Sequence, residues 1–132
     1  MKAQDEFILV SAPNKAGEQF IGTLKSKSML FAAMTNNDTE KSRLAQLGVE
    51  IVLSIDTTDL AAPLIPELPV DKVFLFESSL SLCCSYIRIC RSWTGKPVYV
   101  ITSSHHPTSV YREFGANYVI HTRSDNVSFL LD

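Results

Sequence analysis

An α/β fold, a three-layer open parallel sheet of about six strands with helices on both faces, is what the residue pattern predicts. Short continuous apolar runs, of the kind that form strands buried on both sides, recur along the chain. Segments with apolar residues at helical spacing separate them. Turn, cap and helix-stop residues mark the joints, so strand and helix alternate throughout.

Taken in order, Phe7-Ile8-Leu9-Val10 is the first strand, and residues 16–26 follow with Ala16, Phe20, Ile21 and Leu24 on one helical face. Residues 29–34 form the second apolar run, which ends at Thr35-Asn36-Asn37-Asp38, good turn and N-cap chemistry with Asp38 as the expected cap. The next helix carries Leu44, Ala45 and Leu47 and stops at Gly48, and Ile51-Val52-Leu53 is the third strand. Residues 57–71 contain Pro63, Pro66 and Pro69, which argue against a regular helix there. Val73-Phe74-Leu75-Phe76 is the fourth strand. Residues 79–93 place Leu80, Cys83, Cys84, Ile87 and Cys90 or Arg91 at helical spacing, the best-defined helix of the chain. Val98-Tyr99-Val100-Ile101 is strand five. Pro107 suits the first turn of a helix with Val110, Tyr111 and Phe114 on its apolar face, closed by Gly115. Tyr118-Val119-Ile120 is strand six. Residues 123–132 are expected to be a tail or a short final helix, and residues 1–5 a polar leading tail of the same single domain, residues 1–132.

The chain repeats itself. Residues 34–54 and 101–121 match without a gap: strand end, Thr35 with Thr102, polar turn, helix, Gly48 with Gly115, then another strand. Two such half-units fit a Rossmann-like, two-halved dinucleotide fold.

Composition narrows the function classes. The 132 residues are 45% hydrophobic, enough to bury a core without staples. A formal charge of −2 with no Lys/Arg cluster leaves no footprint for nucleic acid or a basic membrane-binding patch. The start lacks a secretory pattern, and no apolar run approaches the roughly 20 residues that span a bilayer, so a cytoplasmic protein is expected. Cys83, Cys84 and Cys90 lie in one apolar segment without zinc-ligand spacing, and are expected to be reduced, buried thiols.

In open parallel sheets the ligand sits beyond the carboxyl ends of the strands, where strand order reverses. Here that points to the loop after Val10: Ser11-Ala12-Pro13-Asn14-Lys15-Ala16-Gly17. A dinucleotide fingerprint wants glycines for the tight turn and for backbone approach to the pyrophosphate. Ser11 stands where the first is expected, Pro13 or Asn14 near the second, and Gly17 alone survives, at the third. Ser11 and Asn14 can hydrogen-bond a phosphate, and Lys15 adds charge beside the helix N-terminus. Pro13 has no N–H to give, and Gly17 also reads as a close-packing residue. At the end of the second strand, where a ribose acid is usual, stand Thr35, Asn36 and Asn37; Lys41 and Arg43 lie too far into the helix for a 2′-phosphate. Neither NAD nor NADP is favoured. Asp56 and Glu77-Ser78-Ser79 share the same rim and can line an adenosine pocket; equally, Ser78 or Ser79 caps a helix and Glu77 is a solvated rim acid.

Catalytic chemistry is not legible. His105, His106, His121, Ser103 and Asp125 fall near the same rim, but no nucleophile-elbow sequence supports a triad. Tyr86 and Tyr111 are followed four residues on by Cys90 and Gly115, so a Tyr-x-x-x-Lys pair is missing. No metal site is expected, and an enzyme reading lacks a catalyst.

Four stretches resemble the nucleotide-binding N-terminal domain of the RCK (TrkA-N) family, the regulators of potassium channels and transporters. They are residues 7–17; Lys41-Ser42-Arg43-Leu44-Ala45-Gln46-Leu47-Gly48-Val49-Glu50-Ile51-Val52; Ile55-Asp56-Thr57-Thr58-Asp59; and residues 96–101 continuing through Glu113-Phe114-Gly115-Ala116-Asn117-Tyr118-Val119-Ile120. NAD(P)-binding reductases of the NmrA-like type share the middle section. The resemblance implies strand order 3-2-1-4-5-6, homodimer pairing, cytosolic contact with a membrane transport protein, and NAD(H), ATP or ADP as a regulatory ligand. By position it matches Ser11, Asn14 and Gly17 to the glycine loop, Thr35 to the ribose acid and Asp56 to the acid that approaches the base. The degraded glycine loop and the missing ribose acid depart from that pattern, and a second regulatory domain after residue 132 is not expected.

The leading expectation is a non-catalytic regulatory domain that binds, or formerly bound, an adenine nucleotide or dinucleotide. A small NAD(P)-dependent reductase is the competing class, and a structural partner-binding module without ligand the third. The helix at residues 79–93, with its cysteines, Tyr86 and Trp93, is the expected dimer face.

Overall fold

The computed structural model describes residues 6–55, 69–103, 108–123 and 127–131. Strands β1 (Phe7–Ser11), β2 (Phe31–Thr35), β3 (Val52–Ser54), β4 (Val70–Phe76), β5 (Val98–Thr102) and β6 (Tyr118–His121) alternate with helices α1 (Lys15–Ser26), α2 (Asp38–Gln46), α3 (Leu80–Trp93) and α4 (Thr108–Phe114). All strand pairs are parallel, in the order β3-β2-β1-β4-β5-β6. The α/β class, the sheet order and helices on both faces are as expected.

Alternation along the strands builds two cores. On one face Ile8, Val10, Phe74, Phe76 and Ile101 pack under Phe20, Ile21 and Leu24 of α1 and Leu44 of α2. On the other, Leu9, Val73, Leu75, Val98 and Val100 pack under Cys83, Tyr86, Ile87 and Cys90 of α3 and Tyr111 of α4. Successive residues of one strand thus serve opposite layers, as the pleat requires. Phe20 meets Phe74 at 4.6 Å between ring centroids, and Phe74, Tyr99 and Tyr118 stack across β4, β5 and β6. A short 3-10 turn, Ser128–Leu131, follows Val127, which is 1% exposed against the α1-side core. A tail or a short final helix was expected over residues 123–132; Asp125 and Asn126 lie outside the described residues.

The repeat is physical. At the end of α2 the Val49 N–H bonds the Leu44 carbonyl, and at the end of α4 the Ala116 N–H bonds the Tyr111 carbonyl. Gly48 and Gly115, at φ +82° and +123°, sit in the left-handed region where each chain turns into the next strand. Both stop glycines were legible.

Several boundaries differ from expectation by a residue or more, three of them for a reason visible in the bonding. The second strand begins at Phe31, because Ser28 takes a left-handed φ of 55° and the Met29 N–H still closes α1 on the Leu24 carbonyl. The cap of α2 is Asn37, whose side-chain oxygen accepts from the Glu40 N–H at 2.7 Å; Asp38 is the first helical residue. The fourth strand starts at Val70, drawn in by pairing with Phe7. Pro63, Pro66 and Pro107 lie outside the described residues.

Candidate functional site at the strand-order reversal

The strand order reverses between β1 and β4, and the β1–α1 loop crosses that point. Ser11, at the end of β1, is 2% exposed. Asn14 caps α1: its Oδ1 accepts from the Gly17 N–H at 2.9 Å, while its backbone carbonyl accepts from Glu18. Its Nδ2 reaches the other way and donates to the Glu77 carbonyl at 3.1 Å, a contact between residues 63 apart in sequence. Gly17 presses on the loop so closely that a Cβ there would lie 2.7 Å from the Ala12 Cα. This is the third-glycine role of close helix–strand packing.

Glu77 is not a solvated rim acid. It is half-buried, its N–H donates to the Ile101 carbonyl, and its carboxylate accepts from the Thr102 hydroxyl at 2.7 Å. Asn14, Glu77 and Thr102 thus tie the ends of β1, β4 and β5 into one polar seam. Ser79 caps α3 by accepting from the Leu82 N–H, while Ser78 is exposed beside it.

On the α1 side of the seam lies a cleft of about 210 Å³, floored by Phe76 and Ile101 and walled by Asn14, Lys15, Ala16, Thr102, Ser103, Thr122 and Arg123. Two cations and three hydroxyls therefore gather at the N-terminus of α1, where the helix dipole favours an anion. On the α3 side Ser11, Ser78, Cys83 and Tyr86 border a crevice with no room for a water molecule. The buried Tyr86 hydroxyl has no hydrogen-bond partner among the described residues.

The end of β2 is occupied with its own cap. The Thr35 hydroxyl donates to the Asn37 carbonyl at 3.2 Å and accepts from the Asn37 N–H at 3.3 Å, and Asn36 accepts from the Asn37 side chain. Glu40, in the first turn of α2, is half-buried, and burial raises its carboxyl above the ordinary range while the Thr35 hydroxyl pulls the other way. Of the expected site residues, Ser11, Asn14, Lys15, Gly17, Glu77 and Ser78 come together around the reversal point. Thr35 and Asn36 stand one strand away, and Asp56 lies outside the described residues.

Sequence reasoning did not assign Thr102, Thr122 and Arg123 to the site. Their only signal was the match of Thr102 to Thr35 in the repeat. His105 and His106 lie outside the described residues, and among those described no three His, Cys, Asp or Glu side chains gather as metal ligands. The three cysteines are buried and unpaired. Burial pushes the Cys90 thiol up to about 12 and, with the nearby Glu77 charge, raises Cys83 further still. These thiols are therefore protonated at neutral pH and poor nucleophiles. No helix among the described residues is long and apolar enough to cross a membrane.

No protein-family model and no curated protein sequence matches the chain. Solved structures do. The GsuK channel bound to NAD superposes with a TM-score of 0.68 at 20% identity over 91% of this chain, which spans 22% of that one. The TrkA-N domain of the inner membrane protein YbaL from Escherichia coli gives 0.68 at 12% identity, covering 98% of this chain and 97% of its own. The NAD(P)-binding domain of an exopolyphosphatase-related protein from Archaeoglobus fulgidus gives 0.69 at 21% identity, covering 89% and 88%. With the strand order, the two-faced helix layers and the repeated half-units, these likenesses show that the chain has a Rossmann fold, similar to the folds of those RCK, TrkA-N and NAD(P)-binding domains.

Proposed function

We propose that this chain is a non-catalytic regulatory domain that binds an adenine nucleotide or dinucleotide at the carboxyl ends of its strands and reports that binding to a partner protein. The observation that carries the reading is the cleft at the N-terminus of α1, with Lys15 and Arg123 on its walls, beside the strand-order reversal. The GsuK channel has been solved with NAD and with ADP, which supports an adenine-containing ligand for the same fold. Of the proposed site residues, Asn14 and Lys15 line the cleft and meet the ligand, Ser11, Gly17, Glu77 and Ser78 frame it at the strand-order reversal, and Thr35, Asn36 and Asp56 would be reached only by a ligand that extends across that point.

The proposed partner is a membrane transport protein met from the cytoplasmic side, through a homodimer. Cys83, Cys90 and Tyr86 of α3 are spent on the core, so the proposed face for a second copy is the shallow groove where Leu80, Ser81, Cys84 and Arg88 meet Val110 and Phe114 of α4.

Thermal denaturation against NAD, NADH, NADP, ATP, ADP, AMP and cyclic dinucleotides tests the reading. A ligand at about a hundred times its dissociation constant adds roughly 2.7 kcal/mol to the native state, a visible rise in melting temperature. A saturable rise with one or more of these supports a nucleotide sensor. A flat response across the panel contradicts it and leaves a fold used for protein contacts alone.

A further inference from the structure

The side chain of Asn14 stands at the strand-order reversal, at the head of α1. In the Rossmann arrangement the pyrophosphate passes over the first strand–helix turn at the strand-order reversal, and the second glycine of the fingerprint leaves room for it. Here the corresponding place holds a side chain, and both ends of its amide are engaged: Oδ1 with the Gly17 N–H at 2.9 Å, Nδ2 with the Glu77 carbonyl at 3.1 Å. Glu77 is fixed in turn by Ile101 and by Thr102, so the bridge closes onto a braced partner. Behind it, the crevice bordered by Ser11 and Tyr86 admits no water molecule. In front of it lies the open cleft of about 210 Å³.

We infer that Asn14 is a specificity-determining residue: its bridge to Glu77 shuts the reversal point, so the site takes a compact phosphate monoester of mononucleotide size and rejects a dinucleotide. This rests on the nucleotide-binding reading above and narrows it. Lys15 and Arg123 supply the charge for a terminal phosphate, and the apolar floor of Phe76 and Ile101 lies beneath the remainder of the ligand. A ligand that must extend across to the β2 side meets the amide bridge first.

The test compares AMP and NAD on the whole chain and on Asn14→Ser, by calorimetric titration. Serine keeps the helix cap, because its hydroxyl accepts from the same N–H, but it is too short to reach Glu77. Asn14→Gly, also tolerated at a cap, is the second variant should the first fold poorly. The expected result is that the natural chain binds AMP at least about tenfold more tightly than NAD. Breaking the bridge should then raise NAD affinity by about tenfold or more, with AMP changed only a few-fold. NAD binding as tightly to the natural chain as to the variants overturns this inference and leaves the nucleotide-binding reading standing. No binding of either ligand to any of the three proteins overturns both.

Discussion

Gly17 shows how one residue can serve packing where a fingerprint suggests ligand contact. Its missing side chain is filled by Ala12, whose Cα would stand 2.7 Å from a Cβ at this position. That neighbour is backbone and cannot swing aside, so Gly17→Ala should cost roughly 1–3 kcal/mol, the usual range for overpacking a tight contact. Urea denaturation measures it directly. A loss near zero would mean that α1 stands off the loop. Arg91 makes the complementary point on the opposite side of the sheet. Its guanidinium donates to the carbonyls of Gly115, Thr94 and Lys96 and to Asn117 Oδ1, pinning the end of α3 to the α4–β6 joint. Helical spacing placed this residue at the edge of an apolar face; nothing in the spacing indicated a four-acceptor clamp.

Among the elements, α2 is held mainly at its ends. Asn37 caps it, the Val49-to-Leu44 bond closes it, and Leu44 is its one buried residue. Glu40 in its first turn is the exception to an otherwise solvated surface. A carboxyl whose pKa is raised by folding binds its proton more tightly in the native state than in the unfolded chain. Its charge therefore subtracts stability as pH climbs from the ordinary value of 4.5 through the raised one. Glu40→Gln should accordingly be slightly more stable than the natural chain at neutral pH, by a fraction of a kcal/mol because solvent screens a half-buried group. The difference should vanish in acid below the ordinary carboxyl range. Melting curves across that range check it; a variant less stable at neutral pH would show that the Thr35 contact outweighs the burial.

The element pattern was legible because buried parallel strands read as apolar runs and because Gly48 and Gly115 occupy backbone conformations that other residues adopt at a cost. Boundaries slipped where a local bond decided them, as at Met29 and Asp38. The site was legible only in part. The β1–α1 loop follows from strand order, but Thr102, Thr122 and Arg123 reach the cleft through the register of β5 and β6. The Asn14 bridge joins residues 63 apart. No local pattern encodes either.

For the whole molecule, the two halves of the sheet, β1–β3 and β4–β6, meet where β1 adjoins β4, and the polar seam of Asn14, Glu77 and Thr102 runs along that junction. A ligand in the adjacent cleft touches the first half through Lys15 and Ala16 and the second through Thr102 and Arg123. It would bind the folded chain across both halves, which is what a regulatory ligand needs in order to bias a partner surface. That cleft is the proposed place of nucleotide binding. The most direct measurement is a titration of isotopically labelled protein with AMP, followed through its backbone amide resonances. The account predicts saturable shifts concentrated at Lys15, Ala16, Thr102, Ser103 and Arg123. Unchanged spectra, or shifts centred away from the N-terminus of α1, would contradict it.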